Sequence, residues 1–163
     1  MNYKIYCDGS SKKKGLPEGT CVGGWSYIVL DEDDKIYKMG QNAQYLATNQ
    51  QMELTACLRG LESLLEPILR DTEVVVYTDS AYLYNCYIDK WYTNWKANNW
   101  YTTAGTKVKN RELWKRLVPY FDMPNVHFVK VKGHSGDEWN EKVDTYAQNA
   151  ADALIQKVIE ENK

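Results

Sequence analysis

The feature that most constrains the fold is a short apolar run, Val74–Thr78, which reads Val-Val-Val-Tyr-Thr. Short runs rich in β-branched residues are typical of strands that are covered on both faces. A helical repeat of leucines and isoleucine precedes it, from Leu54 to Ile68, and Ser80 can cap a further helix through residues 81–88. A strand covered by helices belongs to a sheet that is at least partly parallel, so the sequence predicts an α/β fold.

Three earlier segments have the pattern of short antiparallel strands. They are residues 3–7, 24–30 and 35–40. Thr48, followed three residues later by Gln51, fits a capping box, so the leucine-rich helix is expected to begin near Asn49 and to end around Pro67.

The second half of the chain has three more predicted elements. They are a helix over 111–118 that Pro119 stops, a strand over 126–131 and a closing helix over 139–159. An antiparallel meander beside a helix-covered strand indicates a mixed sheet with helices on both faces.

Length and composition indicate one ordered domain over residues 1–163, because 44% of the residues are hydrophobic and 26% are charged. No apolar run approaches the roughly 20 residues needed to cross a membrane, and the first residues do not have the pattern of a signal peptide. The four cysteines are scattered without Cys-x-x-Cys spacing, as in proteins of reducing compartments. We therefore expect a cytoplasmic protein.

Three acidic residues stand at informative places. Asp8 and Asp79 each follow a predicted strand, and Glu53 lies at the border of the buried stripe of its helix. If the first and fourth strands are neighbours, Asp8 and Asp79 lie side by side. Carboxylates that crowd together repel one another, and Mg²⁺, which prefers oxygen ligands, relieves that repulsion. Taken singly, each acid has an ordinary alternative, as a turn residue or as a partner of a helix dipole.

Four motifs in this order resemble the type 1 ribonuclease H family. They are Tyr-Cys-Asp-Gly-Ser around Asp8, Thr-Asn-Gln-Gln-Met-Glu-Leu ending after Glu53, Tyr-Thr-Asp-Ser around Asp79, and Val-Lys-Gly-His-Ser-Gly around His134. Asp144 follows His134 by ten residues and matches the family's fourth acid. The resemblance covers nearly the whole chain.

The resemblance implies a ribonuclease H-like fold with a five-stranded mixed sheet, its first three strands antiparallel. It implies that Asp8, Glu53, Asp79 and Asp144 bind two Mg²⁺ ions, with Mn²⁺ as a substitute. His134 would assist proton transfer or product departure. The implied reaction is hydrolysis of the RNA strand of RNA–DNA hybrids, leaving 5′-phosphate and 3′-hydroxyl ends. We expect the protein to be a monomer.

A basic, tryptophan-rich segment at about residues 90–112 resembles the protrusion of cellular members of that family. Although the formal net charge of the chain is −2, residues 90–116 hold seven basic side chains and one acidic one. Nucleic-acid contacts are expected from Trp91, Asn94, Trp95, Lys96, Lys107 and Lys109. Trp91 and Trp95 are expected at the surface, whereas Trp114 is as readily a core residue as a binding residue.

Three further contacts follow from the resemblance. Thr48 matches a position that binds a DNA phosphate, and Asn49 and Gln50 match residues that face the minor groove of the hybrid, where 2′-hydroxyls are exposed. The loop after the first strand departs from the family, since residues 11–20 lack a clear counterpart of its RNA-contacting Asn. Lys12 and its two following lysines either attract phosphate there or are simply solvated.

Two alternatives remain open from the sequence. One is another nuclease of the same fold superfamily that acts on DNA, and the other is a hybrid-binding module without activity. The first would not be expected to combine the His134 motif with the tryptophan-rich segment, and the second would gain nothing from clustered acids near phosphate.

Overall fold

The computed structural model describes residues 2–13, 15–132 and 137–161. Five strands are found in these parts of the chain: β1 (Tyr3–Lys12), β2 (Val22–Leu30), β3 (Ile36–Tyr45), β4 (Val74–Thr78) and β5 (Val126–Lys130). They form one sheet in the spatial order β3-β2-β1-β4-β5. β1, β2 and β3 pair antiparallel, whereas β4 is parallel to both β1 and β5. The predicted mixed sheet is therefore confirmed.

Helices cover both faces of this sheet, as predicted. They are α1 (Asn49–Ser63), α2 (Leu65–Leu69), α3 (Ala81–Asp89), α4 (Trp91–Ala97), α5 (Arg111–Phe121) and α6 (Glu138–Glu161). Alternate residues of a strand point to opposite faces. Thus Ile5 of β1 packs in the cluster that contains Leu54 of α1, whereas Tyr6 packs with Val143 of α6. No helix in the described ranges is long and apolar enough to span a bilayer.

The first and third strands extend well beyond their predicted ends. β1 continues through Gly9, Ser10 and Ser11, a sequence that alone favours a turn, because it pairs with β2 as far as Lys12 opposite Val22. Pairing with a neighbouring strand thus outweighs the local preference. Asp8 consequently lies within a strand and not at its end. β3 is the outer strand and is exposed along most of its length.

The fourth strand is covered less evenly than predicted. Val74, Val76 and Thr78 are buried on the side of α1, whereas Val75 and Tyr77 are half-buried on the side of α6. The prediction of burial on both faces therefore holds in full for one face only.

Two predicted helix ends are wrong. The leucine-rich helix breaks at Leu64, and Pro67 lies inside the short helix α2 that follows. Pro119 does not stop α5, which continues to Phe121. A proline lacks one N–H and crowds the preceding turn, but Pro119 lies in the last turn, where Tyr120 and Phe121 are buried and hold the helix in place.

Two glycines let helices approach the sheet closely from opposite sides. A Cβ atom at Gly9 would collide with the backbone of Met52 and Glu53 in α1. A Cβ atom at Gly24 of β2 would collide with the carbonyl oxygen of Ala147 in α6. These contacts bring both helices to the part of the sheet where Asp8 lies.

Candidate functional site

Asp8 of β1 and Asp79, the residue directly after β4, lie side by side, since β1 and β4 are neighbouring parallel strands. The last pair in the register of β1 and β4 joins Cys7 and Thr78, so each aspartate is the next residue along its chain segment after that pair. This adjacency is predicted on the condition that the first and fourth strands are neighbours, which they are. Asp8 is only 5% exposed. Its Oδ1 accepts a hydrogen bond from the Gly9 N–H at 2.9 Å.

Asp144 approaches this pair from α6. Asp8 follows Tyr6 by two residues and so shares its face of β1, the face on which Val143 packs. The carboxyl groups of Asp8 and Asp144 are in hydrogen-bond contact. One turn further along α6, Gln148 Nε2 donates a hydrogen bond to Asp144 Oδ2 at 3.0 Å. The structure thus brings the fourth predicted acid to the first.

Glu53 reaches the same region from the first turns of α1. Asn49, one turn earlier, donates from Nδ2 to Glu53 Oε1 at 3.0 Å. The Ser80 hydroxyl donates a hydrogen bond to the same carboxylate and accepts one from the Leu83 N–H at 3.1 Å. The sequence identifies Ser80 only as a helix cap, so its contact with Glu53 is missed; its position directly after Asp79 is the one signal for it.

Burial and mutual repulsion make ionisation of these acids unfavourable. Burial, the charge of Asp79 and the contact with Asp144 raise the pKa of Asp8 to about 9, against a smaller lowering effect of the Gly9 N–H. Burial and the charge of Asp79 also raise the pKa of Glu53, and the Ser80 hydrogen bond opposes that rise. Such shifts are typical of carboxylates gathered without a compensating cation.

The side-chain arrangement is not a ready-made metal site. Within residues 2–13, 15–132 and 137–161, no three His, Cys, Asp or Glu side chains are grouped so that they could hold a metal ion as they stand. The roles of Asp8, Glu53, Asp79 and Asp144 as metal ligands therefore stay predictions.

The start of α1 carries the three residues expected to face the nucleic acid. Thr48 is the N-cap predicted from the sequence, and its Oγ1 accepts a hydrogen bond from the Gln51 N–H at 3.1 Å. Thr48 and Asn49 are exposed and Gln50 is half-buried. The Asn49 amide is bonded to Glu53, which ties this surface to the acidic cluster.

The tryptophans of the basic segment are less exposed than expected. Trp91 and Trp95 share one face of α4, with ring centroids 6.2 Å apart, as their spacing predicts. Both are half-buried against the core, so their expected surface position is correct only in part. Trp114 is fully buried, and its Nε1 donates to the Tyr82 hydroxyl at 3.0 Å. It is therefore a core residue.

A cleft of about 790 Å³ opens beside α4. Its lining includes Trp91, Asn94, Trp95, Asn98, Tyr101 and Thr103. The last three are not among the predicted contacts, because isolated polar and aromatic residues in a turn give no sequence signal of a shared wall.

The lysines of the segment differ in their surroundings. Lys96 lies 3.4 Å from Asp122, so its charge is partly compensated. Lys107 and Lys109 are exposed, and Lys107 pairs through its backbone with Tyr101. In the atypical loop, Lys12 pairs with Asp152 of α6 at 2.7 Å. His134, the remaining predicted site residue, lies outside the described residues.

Known proteins that are similar to this chain over most of its length include ribonucleases H. The family model described as RNase H matches residues 1–152. The ribonuclease H of Caldicellulosiruptor saccharolyticus is 39% identical over 145 residues, which are 89% of this chain and 92% of that protein. The ribonuclease H of Francisella tularensis subsp. novicida is 40% identical over 154 residues, covering 93% of this chain and 92% of that protein.

Two solved structures share the fold. LC9-RNase H1, a type 1 RNase H with the type 2 active-site motif, has a TM-score of 0.75 at 24% identity, covering 93% of this chain and 72% of that one. LC11-RNase H1 in complex with RNA/DNA hybrid has a TM-score of 0.64 at 20% identity, covering 94% of this chain and 99% of that one.

Proposed function

Because this chain belongs to the RNase H family, we propose that it is an endonuclease that hydrolyses the RNA strand of RNA–DNA hybrids with the help of divalent metal ions. The observation that carries this proposal is the convergence of Asp8, Asp79 and Asp144 where the pairing of β1 and β4 ends. Glu53, held by Asn49, completes the set from α1.

The donor set fits Mg²⁺ or Mn²⁺, which prefer oxygen ligands. Buried carboxylates that repel one another favour a cation between them, and the raised pKa of Asp8 and of Glu53 is in keeping with such a cluster. When bound, two such ions supply activation of the attacking water and stabilisation of the leaving oxygen during in-line displacement at phosphorus.

The chain's own groups hold this set in place. The Gly9 N–H fixes one oxygen of Asp8, and the Asn49 amide and Ser80 hydroxyl orient Glu53. We assign His134 to proton transfer or product departure, since an imidazole titrates near neutral pH. Cleavage in this way leaves a 5′-phosphate and a 3′-hydroxyl.

Substrate binding would use two surfaces, of which the start of α1 adjoins the acids through the bond of Asn49 to Glu53. Thr48, Asn49 and Gln50 at the start of α1 would meet a phosphate and the shallow minor groove, where 2′-hydroxyls distinguish RNA from DNA. The cleft beside Trp91 and Trp95, which Asn94 also lines, would take the sugar-phosphate backbone of the DNA strand. The charges of Lys96, Lys107 and Lys109 in the same segment of the chain would attract its phosphates. We propose that the protein acts as a cytoplasmic monomer with one domain.

Substitution of Asp79 tests the catalytic assignment. Asp79→Asn is expected to lower turnover of a labelled hybrid more than about 1,000-fold, because it removes a charged metal ligand, while hybrid binding measured by fluorescence anisotropy stays near that of the unsubstituted protein. Asp71→Asn, the same change at an exposed position before β4, is the matched control and should leave turnover unchanged. Undiminished turnover in Asp79→Asn would show that the assignment is wrong.

Choice of substrate tests the reaction class. Cleavage of hybrid, duplex RNA and duplex DNA is compared in Mg²⁺, in Mn²⁺ and in a chelator. The proposal predicts metal-dependent cleavage of the RNA strand of the hybrid alone. Degradation of duplex DNA with the hybrid spared would identify a DNA nuclease of the same fold, and binding without cleavage in either metal would identify a hybrid-binding module.

A further inference from the structure

Three buried side-chain atoms in the described part of the chain have no hydrogen-bond partner. They are Trp25 Nε1, Ser26 Oγ and Asn140 Oδ1. Leaving a buried polar group unsatisfied typically destabilises a fold by about 1–3 kcal/mol, so each of these atoms needs a physical explanation.

The three atoms differ in where they lie relative to Asp8 and in whether they can donate a hydrogen bond to it. Trp25 packs in the core on the side of α1, with the Arg59 guanidinium 5.6 Å from its ring, on the face of the sheet away from Asp8. Asn140 lies on α6 one turn before Asp144, but its unpartnered atom is an acceptor and cannot donate to a carboxylate.

Ser26 differs from both, because it is the residue of β2 directly opposite Asp8 of β1. Directly paired residues of antiparallel strands have their side chains on the same face, with Cβ atoms about 4.5–5.5 Å apart. Ile28, two residues along β2, packs with Val143 of α6, so Ser26 and Asp8 both face α6. The Ser26 side chain is fully buried there.

The neighbouring carboxylate can accept more than one hydrogen bond. Asp8 Oδ1 accepts from the Gly9 N–H, and the carboxyl group lies beside Asp79 and Asp144, neither of which is a donor when ionised. A serine hydroxyl is one of the few neutral donors that fits beside a carboxylate in so small a space. Its bond to an ionised carboxylate is short and strong, and it adds no charge to the site.

We propose that Ser26 is a positioning residue: when a divalent metal ion is bound and Asp8 is ionised, the Ser26 hydroxyl donates a hydrogen bond to Asp8 and holds that carboxylate in place for the metal. This inference rests on the proposed function, since it assigns Asp8 to the metal. Groups that hold a metal ligand in place typically change metal affinity or activity by about 10–100-fold when they are removed.

The test measures Mg²⁺ binding to the substrate-free protein, by isothermal titration and by the rise in Tm with Mg²⁺ concentration. Ser26→Ala is expected to bind Mg²⁺ about tenfold more weakly. The Tm of Ser26→Ala in chelator should not fall below that of the unsubstituted protein, since the Ser26 hydroxyl makes no hydrogen bond when no metal is bound. In the cleavage assay, the Mg²⁺ concentration for half-maximal turnover should rise by the same factor while the KM for hybrid changes little.

Two variants separate hydrogen bonding from packing. Ser26→Thr keeps the hydroxyl and should retain Mg²⁺ affinity, whereas Ser26→Cys keeps the volume but offers only a weak donor and should behave like Ser26→Ala. Ser63→Ala, at the end of α1 where the hydroxyl bonds to the Gly60 carbonyl, is the control for the same chemical change away from the site.

Asp8→Asn separates failure of this inference from failure of the proposed function. If Asp8→Asn loses Mg²⁺ binding and cleavage while Ser26→Ala keeps both, the role of Ser26 is wrong and the metal assignment stands. If Asp8→Asn retains Mg²⁺ binding and cleavage, the assignment of Asp8 to the metal is wrong, and if the unsubstituted protein cleaves no hybrid in Mg²⁺ or Mn²⁺, the proposed function itself is wrong. A loss in Ser26→Ala that Ser26→Cys restores would also contradict the inference, since packing alone would explain it.

Discussion

At the scale of single residues, the burial of Asp8, which the proposed metal binding requires, lowers the stability of the metal-free protein at neutral and alkaline pH. The pKa of this carboxyl is raised to about 9 by burial, by the charge of Asp79 and by its contact with Asp144. A proton therefore binds Asp8 more tightly in the folded than in the unfolded protein. Between about pH 4 and pH 9 the unfolded chain has lost this proton while the folded protein retains it. The free energy of unfolding therefore falls as the pH rises through this range.

We predict that Asp8→Asn raises the Tm of the metal-free protein, because an amide is neutral at every pH and folding then requires neither uptake of a proton nor burial of a charge at this position. The gain should be small below about pH 3, where Asp8 is protonated in both states, and should grow up to about pH 9. For a domain of this size, each 1 kcal/mol corresponds to about 2–4 °C in Tm. Thermal unfolding followed by circular dichroism in chelator at several pH values measures this change.

Asp152→Asn provides the control, since Asp152 pairs with Lys12 at the surface and its substitution should not raise the Tm. Added Mg²⁺ should stabilise the unsubstituted protein much more than Asp8→Asn. A Tm gain of Asp8→Asn that does not depend on pH would contradict the electrostatic explanation.

The residues of the site were predictable from the sequence to different degrees. Asp8 and Asp79 follow from strand patterns because their adjacency depends only on which strands are neighbours. The bonds of Asn49 and Ser80 to Glu53 were not predictable, because they join side chains whose positions depend on how α1 packs against the sheet.

At the scale of helices and strands, contact between Gly24 and α6 determines where Asp144 lies. We predict that Gly24→Ala destabilises the protein by about 1–3 kcal/mol, since the added methyl group collides with the Ala147 carbonyl and forces α6 outward. Asp144 would move away from Asp8, so turnover should fall further than loss of folded protein explains. Chemical denaturation and a cleavage assay well below the Tm measure the two effects.

Gly19→Ala is the comparison for that substitution. Gly19 has a φ of +82° with open space around it, so its substitution strains only the loop backbone. Stability should fall by about 1 kcal/mol, and turnover per folded molecule should not change. An equal loss of turnover in both variants would contradict the proposed link between α6 and the site.

The ends of the helices and strands show which sequence signals are sufficient to predict where an element begins or stops. The caps at Thr48 and Ser80 were predicted correctly because they depend on a few neighbouring residues. The extension of β1 through Gly9 and Ser10 and the helical conformation of Pro119 were not, since both depend on partners distant in sequence.

At the scale of the whole molecule, positive charge is concentrated in one segment of the chain. Residues 90–116 hold seven basic side chains in a chain whose formal net charge is −2. Lys96 is partly compensated by Asp122, so Lys107 and Lys109 are better candidates for free phosphate contacts. Electrostatic binding of this kind releases counterions and weakens with salt.

We predict that Lys107→Ala combined with Lys109→Ala weakens hybrid binding most at low salt. The slope of log affinity against log salt should decrease in magnitude by about 0.7–0.9 for each phosphate that is no longer neutralised. Anisotropy titrations between about 50 and 200 mM salt measure it. Lys157→Ala, an exposed lysine on α6, is the control and should leave the slope unchanged; equal slopes in all three proteins would contradict a role of residues 107–109 in binding.

The exposed outer strand β3 has a consequence for handling the protein at high concentration. Along this edge Ile36, Tyr37 and Met39 are each nearly half exposed, and Lys38 is the one charged residue of the strand. Open apolar edges are templates for growth of a sheet from one molecule to the next. Repulsion between whole molecules opposes this, and it vanishes near the isoelectric point of about 5.7. Colloidal stability should therefore be lowest in mildly acidic buffer and should recover as the pH moves away from that value.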